Sequence, residues 1–319
     1  MRRPCSVCGS AAVAVDDASR EALCAQHYVE RVQRRIEKIV RRAIGAGRRR
    51  ERVLVAVSGG KDSAVAAHAL ASLSDKLGLE VSLIHLELGI GGYSEACAGA
   101  ARQLGRLLGL ETVVARAREL LRGLGVPELS RAAKRPTCSV CGLLKRYLLN
   151  AAALAGGFDY VATGHNADDV VAYYLKGLFV GGSEYSEKLR PASPPALGAA
   201  GRLRPLFEVS EHESRTYALL TGLPVVWEEC PLKPLDSVEQ LIKEFVSRIE
   251  ERAPGSRARL LRRLSGPIEE RAKLEASTCS TCGSLSSSGE CSFCRLTRRA
   301  LGEPLGASVR EALRIALAR

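Results

Sequence analysis

Short apolar runs alternate with stretches of helical spacing through the middle of the chain. Val53 to Val57, Val81 to Leu88, Glu111 to Ala117 and Phe158 to Gly164 read as strands. Ala64 to Leu73, Glu95 to Leu108 and Leu143 to Ala155 carry helical periodicity, and another helix opens at His165 to Asp169. Leu223 to Cys230 reads as a further strand, and the Pro- and Gly-rich Arg190 to Pro205 as a loop. Strand-helix alternation predicts a mostly parallel, Rossmann-like α/β sheet with right-handed crossovers, helices on both faces and ligands at the strand C-termini. Asp236 to Glu251 and Ser256 to Leu274 predict amphipathic linking helices.

The first strand runs into Ser58-Gly59-Gly60-Lys61-Asp62-Ser63, and a helix follows at once. Two glycines let backbone approach a phosphate, the helix N-terminus adds positive partial charge, and Lys61 and Ser63 supply a cation and a hydroxyl. The segment predicts an anion cradle. It is not a Walker loop, because the four-residue spacer is missing and an acid follows the lysine. A tight turn without ligand chemistry is the plainer alternative.

Charge changes the picture next. Lys and Arg outnumber Asp and Glu by 47 to 35 in 319 residues, a formal +12, with arginines crowded into Arg31 to Arg52 and Arg257 to Arg263. That balance points to a polyanionic partner, against the alternative of a densely charged helical surface. No apolar stretch approaches a membrane span and no signal sequence precedes Cys5, so a cytoplasmic protein with no membrane association is expected.

Eleven cysteines in a reducing compartment call for chemistry other than disulfides. Cys5-x2-Cys8 with Cys24-x2-His27, and Cys279-x2-Cys282 with Cys291-x2-Cys294, have the spacing of two tetrahedral structural zinc sites. Such closed shells staple short segments that bury little core, and the flanking Arg295, Arg298 and Arg299 also suit nucleic acid. Cys138 and Cys141 precede a helix, and Cys230 ends a strand-like run whose C-terminus belongs at the ligand edge. Three thiols fit an iron-sulfur cluster with one open iron, a redox pair carrying a persulfide, or inert burial. Cys97 reads as ordinary packing. In Gly164-His-Asn-Ala-Asp-Asp169 the carboxylates can hold Mg²⁺ or act as base, with Asn166 and Asp168 capping the helix as the plainer alternative for those two, while Lys145 lies one turn beyond Cys141 and is otherwise a solvated helix charge.

The SGGKDS turn resembles the PP-loop of ATP pyrophosphatases. With the two cysteine quartets, Cys138-x2-Cys141, GHNADD and Cys230 in this order, the chain is similar to the TtuA branch of the tRNA 2-thiolation family from residue 5 to about residue 300. The resemblance implies a tRNA-uridine 2-sulfurtransferase using ATP, Mg²⁺, a 4Fe-4S cluster on Cys138, Cys141 and Cys230, and two Zn²⁺. It implies nucleotide contacts from Ala56, Val57, Ser58, Gly59, Gly60, Lys61, Asp62, Ser63, His85, Gly164, His165, Asp168 and Asp169, and catalytic roles for Lys145, Asp169 and Lys61. The implied reaction adenylates the uridine 2-oxygen and replaces it with sulfur from a thiocarboxylated ubiquitin-like protein. A homodimer is also implied. His27, where the wobble-uridine branch usually has cysteine, favours the T-loop uridine at position 54.

The expected organisation is a zinc finger at 1–30, a basic helical linker at 31–50, the PP-loop domain at 51–235, a helical linker at 236–275, a zinc ribbon at 276–300 and a helical tail at 301–319. Wobble-uridine thiolation and a clusterless persulfide thiolase remain open alternatives. So do a nucleotide-retaining RNA-binding protein and sulfur insertion or amidation on a small metabolite, which leaves the charge and the metal modules unexplained.

Overall fold

A computed structural model describes residues 3–44, 50–180, 189–234, 236–264 and 277–318. A small antiparallel pair, β1 (Ala14–Val15) and β2 (Ala22–Leu23), leads into the long helix α1 (Ala25–Ile44). Next come β3 (Glu51–Ala56), α2 (Lys61–Ser72), the single-turn α3 (Ser74–Leu77), β4 (Leu79–Glu87), α4 (Gly91–Leu108) and β5 (Thr112–Arg116). The short α5 (Ala117–Leu120) and α6 (Val126–Ala133) precede α7 (Thr137–Ala155), β6 (Tyr160–Ala162) and α8 (Ala167–Val180). The edge strands β7 (Ala192–Ser193) and β8 (Gly201–Leu203) are followed by α9 (Glu211–Leu220), α10 (Val238–Arg252) and α11 (Ser256–Leu264). A second small pair, β9 (Ser277–Thr278) and β10 (Leu285–Ser286), precedes α12 (Ser292–Leu301) and α13 (Gly306–Leu317).

Among the described residues the central sheet has six strands in the order β5-β4-β3-β6-β8-β7, parallel except at the β7–β8 edge. The chain winds from β3 outward to β5, then returns to β6 on the other side. Crossovers therefore diverge between β3 and β6, the position where open α/β sheets leave a crevice for ligands.

Alternation along β3 explains the two cores. Val53 and Val55 face one side with Leu83, Tyr160 and Ala162, where α1, α2 and α9 bury Val32, Ile36, Leu70 and Tyr217. Leu54 faces the other side with Ile84 and Val161, where α6, α7 and α13 bury Leu129, Leu144, Leu148 and Val309. The N-terminal cysteine module joins the first core through Cys5 and Leu23, the C-terminal module the second through Phe293 and its four cysteines. The modules therefore sit on opposite faces of the sheet. Arg35 binds Asp16 at 3.0 Å and Glu213 at 2.5 Å, tying the N-terminal module to α9. Phe293 stacks on Tyr147 with ring centroids 3.7 Å apart, and the Tyr147 hydroxyl donates to the Gly306 carbonyl at 2.9 Å.

Two sequence expectations change. Leu223 to Cys230 is irregular and not a strand: Val226 N–H donates to the Gly59 carbonyl at 2.9 Å, so this segment crosses the phosphate turn, and Pro224 offers no donor for a ladder. Within the expected 190–205 loop, β7 and β8 form a hairpin that extends the sheet, because Leu203 is buried beside β6 and Gly201 lies against the Tyr160 ring. The helix expected from Ser256 is seen to Leu264, and its remainder lies outside the described residues. α10 and α11 pack on α8 through Ile242, Val246 and Leu261 with Val170, Val171 and Phe207.

Glycine decides the junction between the two motif-bearing strands. A Cβ on Gly164 would stand 2.6 Å from Ser63 N and 2.7 Å from Asp62 C, both backbone atoms that cannot rotate away. Gly164→Ala is expected to force β6 and α2 apart, costing about 1–3 kcal/mol in urea unfolding, together with nucleotide binding. Unchanged stability and unchanged binding would show that the junction yields freely.

Candidate functional site: a phosphate turn, a carboxylate turn and a cysteine trio

The 58–63 turn leaves β3 and ends on α2. Gly59 has φ +89°, and a Cβ there would also meet Cys97 Cα at 2.7 Å, so the turn needs glycine for both conformation and space. Cys97 is buried and forms the wall behind the turn. Ser63 Oγ accepts from Ser58 N–H at 2.9 Å and donates to the Gly60 carbonyl at 2.9 Å, which fixes the loop across its base. His85 donates from Nδ1 to the Val57 carbonyl at 2.7 Å, leaving a buried Nε2 without a hydrogen-bond partner. Burial holds this imidazole below the ordinary histidine pKa, so it is a neutral wall beneath the turn.

The second motif follows β6. Asn166 and Asp169 cap α8 reciprocally: Asn166 N–H donates to Asp169 Oδ2 at 3.1 Å, and Asp169 N–H donates to Asn166 Oδ1 at 3.0 Å. Asp169 Oδ1 pairs with Lys243 Nζ at 2.5 Å. Asp168 points elsewhere, to Arg257 at 3.1 Å and the Glu211 amide at 2.7 Å. Burial raises its pKa, with Arg257 opposing. His165 bonds Thr163 Oγ1 at 2.7 Å, and burial lowers its pKa while Asp169 opposes.

A chain of alternating charge joins the two motifs. Lys61 Nζ lies 2.9 Å from Asp62 and 3.1 Å from Glu211, and Glu211 lies 3.3 Å from Lys243. Burial pulls both lysines down, but the carboxylates outweigh it and keep them above the ordinary lysine range. Burial likewise raises Glu211, and the two lysines bring it below the usual carboxylate range. Lys243, Glu211 and Arg257 were not legible as site residues. Their only sequence signals are a lysine on an amphipathic helix, an acid after the Ser210 cap and one arginine in a run.

Cys138 and Cys141 at the start of α7 lie beside the segment that carries Cys230 and crosses the phosphate turn. Cys138 Sγ reaches the Leu232 carbonyl at 3.6 Å, which brings the start of α7 against the segment bearing Cys230. Burial pushes the Cys141 thiol up, Lys145 opposes, and the fields of Cys230 and Cys138 push it further. Lys145 is exposed one turn along α7. The trio is more open than the quartets, which among the described residues are the groups whose ligand atoms all lie within 4.8 Å of one another. In those quartets Cys8 and Cys24 sulfurs are 3.8 Å apart and Cys282 and Cys291 sulfurs 3.7 Å. Those separations match the edge of a tetrahedron, about 3.8 Å, for thiolates about 2.3 Å from an ion. His27 Nδ1 lies 3.3 Å from Cys24 and 3.5 Å from Cys5, completing the set of four ligands. Both quartets are metal-binding modules.

A phosphate turn at the switch point of a parallel sheet, facing a capped carboxylate turn, defines a PP-loop nucleotide-binding protein. The PP-loop domain family matches residues 28–230. The tRNA-5-methyluridine(54) 2-sulfurtransferase of Thermus thermophilus is 38% identical over 92% of this chain and 90% of its own length. That of Pyrococcus horikoshii is 36% identical over 91% of this chain and 92% of its own. In fold, the chain matches the U34-tRNA thiolase NcsA of Methanococcus maripaludis, solved with its 4Fe-4S cluster. The TM-score is 0.78 at 23% identity, over 93% of this chain and 96% of that one. The chain belongs to the PP-loop family of tRNA 2-sulfurtransferases. Among the described residues no helix is long and apolar enough to cross a membrane.

Lys243→Met should strand Asp169 and Glu211 side by side. Both members of the Lys243–Asp169 pair keep about a fifth of their surface exposed, 21% and 19%. The expected loss in urea unfolding is therefore about 1–2 kcal/mol, below that of a fully buried pair. Adding Asp169→Asn should recover part of it in a double-mutant cycle, and additive losses would mean the two side chains do not interact.

Proposed function

We propose that the protein is an ATP-dependent tRNA-uridine 2-sulfurtransferase acting on the T-loop uridine at position 54. The observation carrying this reading is the junction of Gly164 with the Asp62–Ser63 backbone, which holds phosphate turn and carboxylate turn around one crevice, with the charge of Lys145 felt at His85 and His165 on its walls. The T-loop assignment rests on His27 in the N-terminal quartet and on relatives named for position 54.

The 58–63 turn and Lys61 would bind ATP phosphates, with Ala56, Val57 and His85 forming the wall beneath them and Gly164 and His165 giving access from β6. Bound Mg²⁺ would neutralise phosphate charge, and Asp169 suits it through the oxygen that now faces Lys243. Asp168 acts indirectly, setting α8 through Arg257 and the start of α9.

The uridine 2-oxygen attacks the α-phosphate, an O–P bond forms, and pyrophosphate leaves with the electrons of the bond to the β-phosphate. Lys61 stabilises charge on that leaving group. Sulfur, delivered as a thiocarboxylate by a ubiquitin-like protein, attacks C2 and AMP departs with the C2–O electron pair; water then cleaves the acyl–sulfur bond, releasing the donor as a carboxylate and leaving sulfur on C2 as the thiocarbonyl. Lys145 steadies the reacting oxygen or α-phosphate, and Asp169 accepts the uridine proton if free of metal. Cys138, Cys141 and Cys230 would hold a 4Fe-4S cluster, which supplies an open iron for a sulfur atom. The two quartets would hold zinc, which takes both a shell of three thiolates with one imidazole and a shell of four thiolates as closed structural sites. A homodimer in the cytoplasm is part of this proposal.

A cationic lining at His165 supports a polyanionic substrate. Arg204 lies near Arg202, and burial first, then Arg202, lowers its pKa to about 10. Arg146 adds its field at Arg202.

Nucleoside mass spectrometry of tRNA from a deletion strain should show loss of 2-thiouridine at position 54, restored by the gene but not by Lys61→Ala or Asp169→Asn. Loss confined to position 34 moves the reaction to the wobble base, and unchanged thiolation with Lys61→Ala removes the enzymatic reading. Anaerobic protein should contain iron and labile sulfide that Cys138→Ser loses, while a colourless active enzyme would favour persulfide transfer.

Elemental analysis should also find two zinc ions per chain. Stripping them with a chelator should lower the thermal midpoint and loosen α7, read as faster amide exchange around Tyr147, because the C-terminal module packs on that ring. A metal-free chain of unchanged stability would remove the structural role.

A further inference from the structure

The two arginine-rich runs lie at opposite ends of the PP-loop domain in sequence, yet the fold brings them face to face. α1 carries Arg31 to Arg42 of the first run and α11 carries the second, and Ile39 and Leu261 of these helices are buried in one apolar cluster. Beside that contact lies a cavity of about 440 Å³. Its rim carries exposed Lys38 and Arg42 from α1 and exposed Arg259 and Arg262 from α11. Arg35 and Arg257 sit deeper, each already paired with a carboxylate.

The rim cations are not in direct ion pairs, whereas the acids lie deeper and are held by other groups. Glu213 is held by Arg35 and the Ser210 amide, Glu250 by the amides of Gly255 and Arg257, and Asp17 by the Ser210 hydroxyl. Glu208 is the fourth acid of the lining. Lys38, Arg42 and Arg262 make no hydrogen bond or ion pair among the described residues, and Arg259 reaches only Pro254 O and Ser256 Oγ beside its own turn.

Geometry selects the ligand. Lys38 and Arg42 are one turn apart, as are Arg259 and Arg262, so each pair has a spacing of about 5–6 Å, comparable to successive phosphates on a nucleic-acid strand. Two such pairs on facing helices form a cationic groove open to solvent, suited to a continuous backbone more than to an enclosed small anion. We propose that this cavity docks the sugar-phosphate backbone of the tRNA, with α1 and α11 gripping it away from the reacting base. The proposal rests on tRNA being the substrate. Its wall is shared with the reaction crevice, since Arg257 lines the cavity and binds Asp168 at 3.1 Å.

The test measures binding of unmodified tRNA by the intact protein across a salt series, for wild type, Lys38→Gln/Arg42→Gln and Arg259→Gln/Arg262→Gln. Each double variant should bind about tenfold more weakly near physiological salt and lower the salt slope by about 2, with thermal midpoint and ATP binding unchanged. Single Arg42→Gln and Arg262→Gln variants, each lowering the slope by about 1, serve if a double variant fails to fold. The same charge loss at Arg106 and Arg131, exposed on helices that do not line the cavity, should have a smaller effect. An equal effect there, or wild-type slopes in the cavity variants, overturns the proposal while leaving the enzymatic reading intact. Saturable binding of inorganic triphosphate, lost in variants that still bind tRNA normally, overturns it in favour of a free polyphosphate site. Failure of the wild type to bind tRNA at all overturns both.

Discussion

Everything at the reaction crevice depends on one close approach, the backbone of Gly164 against the first turn of α2. The parallel pairing of β3 with β6 brings the two strand ends level, but pairing alone leaves room for a side chain between the turns that follow. Glycine removes that side chain, so the carboxylate turn and the phosphate turn touch through main-chain atoms. Main-chain contact matters because it has no rotamers to lose. The distance between Lys61 and Asp169 is then set by the sheet and not by flexible loops.

With the turns locked, electrostatics decides what the crevice can do. Asp62, Lys61, Glu211, Lys243 and Asp169 form an ordered sequence of alternating charge. A phosphate can engage Lys61 only in competition with Asp62 and Glu211, and a divalent cation can engage Asp169 only in competition with Lys243. Anion and cation arriving together satisfy both exchanges, whereas either alone leaves charges unmatched in a partly buried site. Under the proposed function, the arrangement would therefore favour a metal-nucleotide complex over its separated parts. Glu211 is central because it is shared by both lysines, so a change at one end is felt at the other.

Much of this was legible in sequence because local chemistry dictated it. Continuous apolar runs, the glycine turn and paired Cys-x2-Cys spacings each name a structure without help from distant residues. Leu223 to Cys230 failed as a strand for the opposite reason: its apolar run packs over the phosphate turn, a tertiary partner that periodicity does not reveal. β7 and β8 were hidden because short edge strands rich in Gly and Pro look like loops. Lys243 and Glu211 carry no motif, and their roles exist only once α10 folds over α8. Asp169 illustrates a middle case: the sequence offered Asn166 and Asp168 as the capping residues, but in the fold Asp169 shares the cap with Asn166 while also pairing with Lys243, and Asp168 turns to Arg257.

The placement of the metal modules follows from the same sheet. A parallel sheet with helices on both faces has two separate cores, and a short polar terminus can stabilise only the core it reaches. Here each terminus reaches a different one, Cys5 joining Val53 and Val55 while Phe293 and Cys294 join Leu54 through α7. Neither module touches the crevice by these contacts, yet each braces a helix that carries candidate site residues. Arg35 links the N-terminal module to α9, whose first residue is Glu211, and Tyr147 links the C-terminal module to the helix bearing Lys145, Cys138 and Cys141. Closed four-ligand shells suit this duty because they are rigid and small. Two cysteine modules with metal-ligand spacing, both outside the crevice, thus brace the two helices beside it.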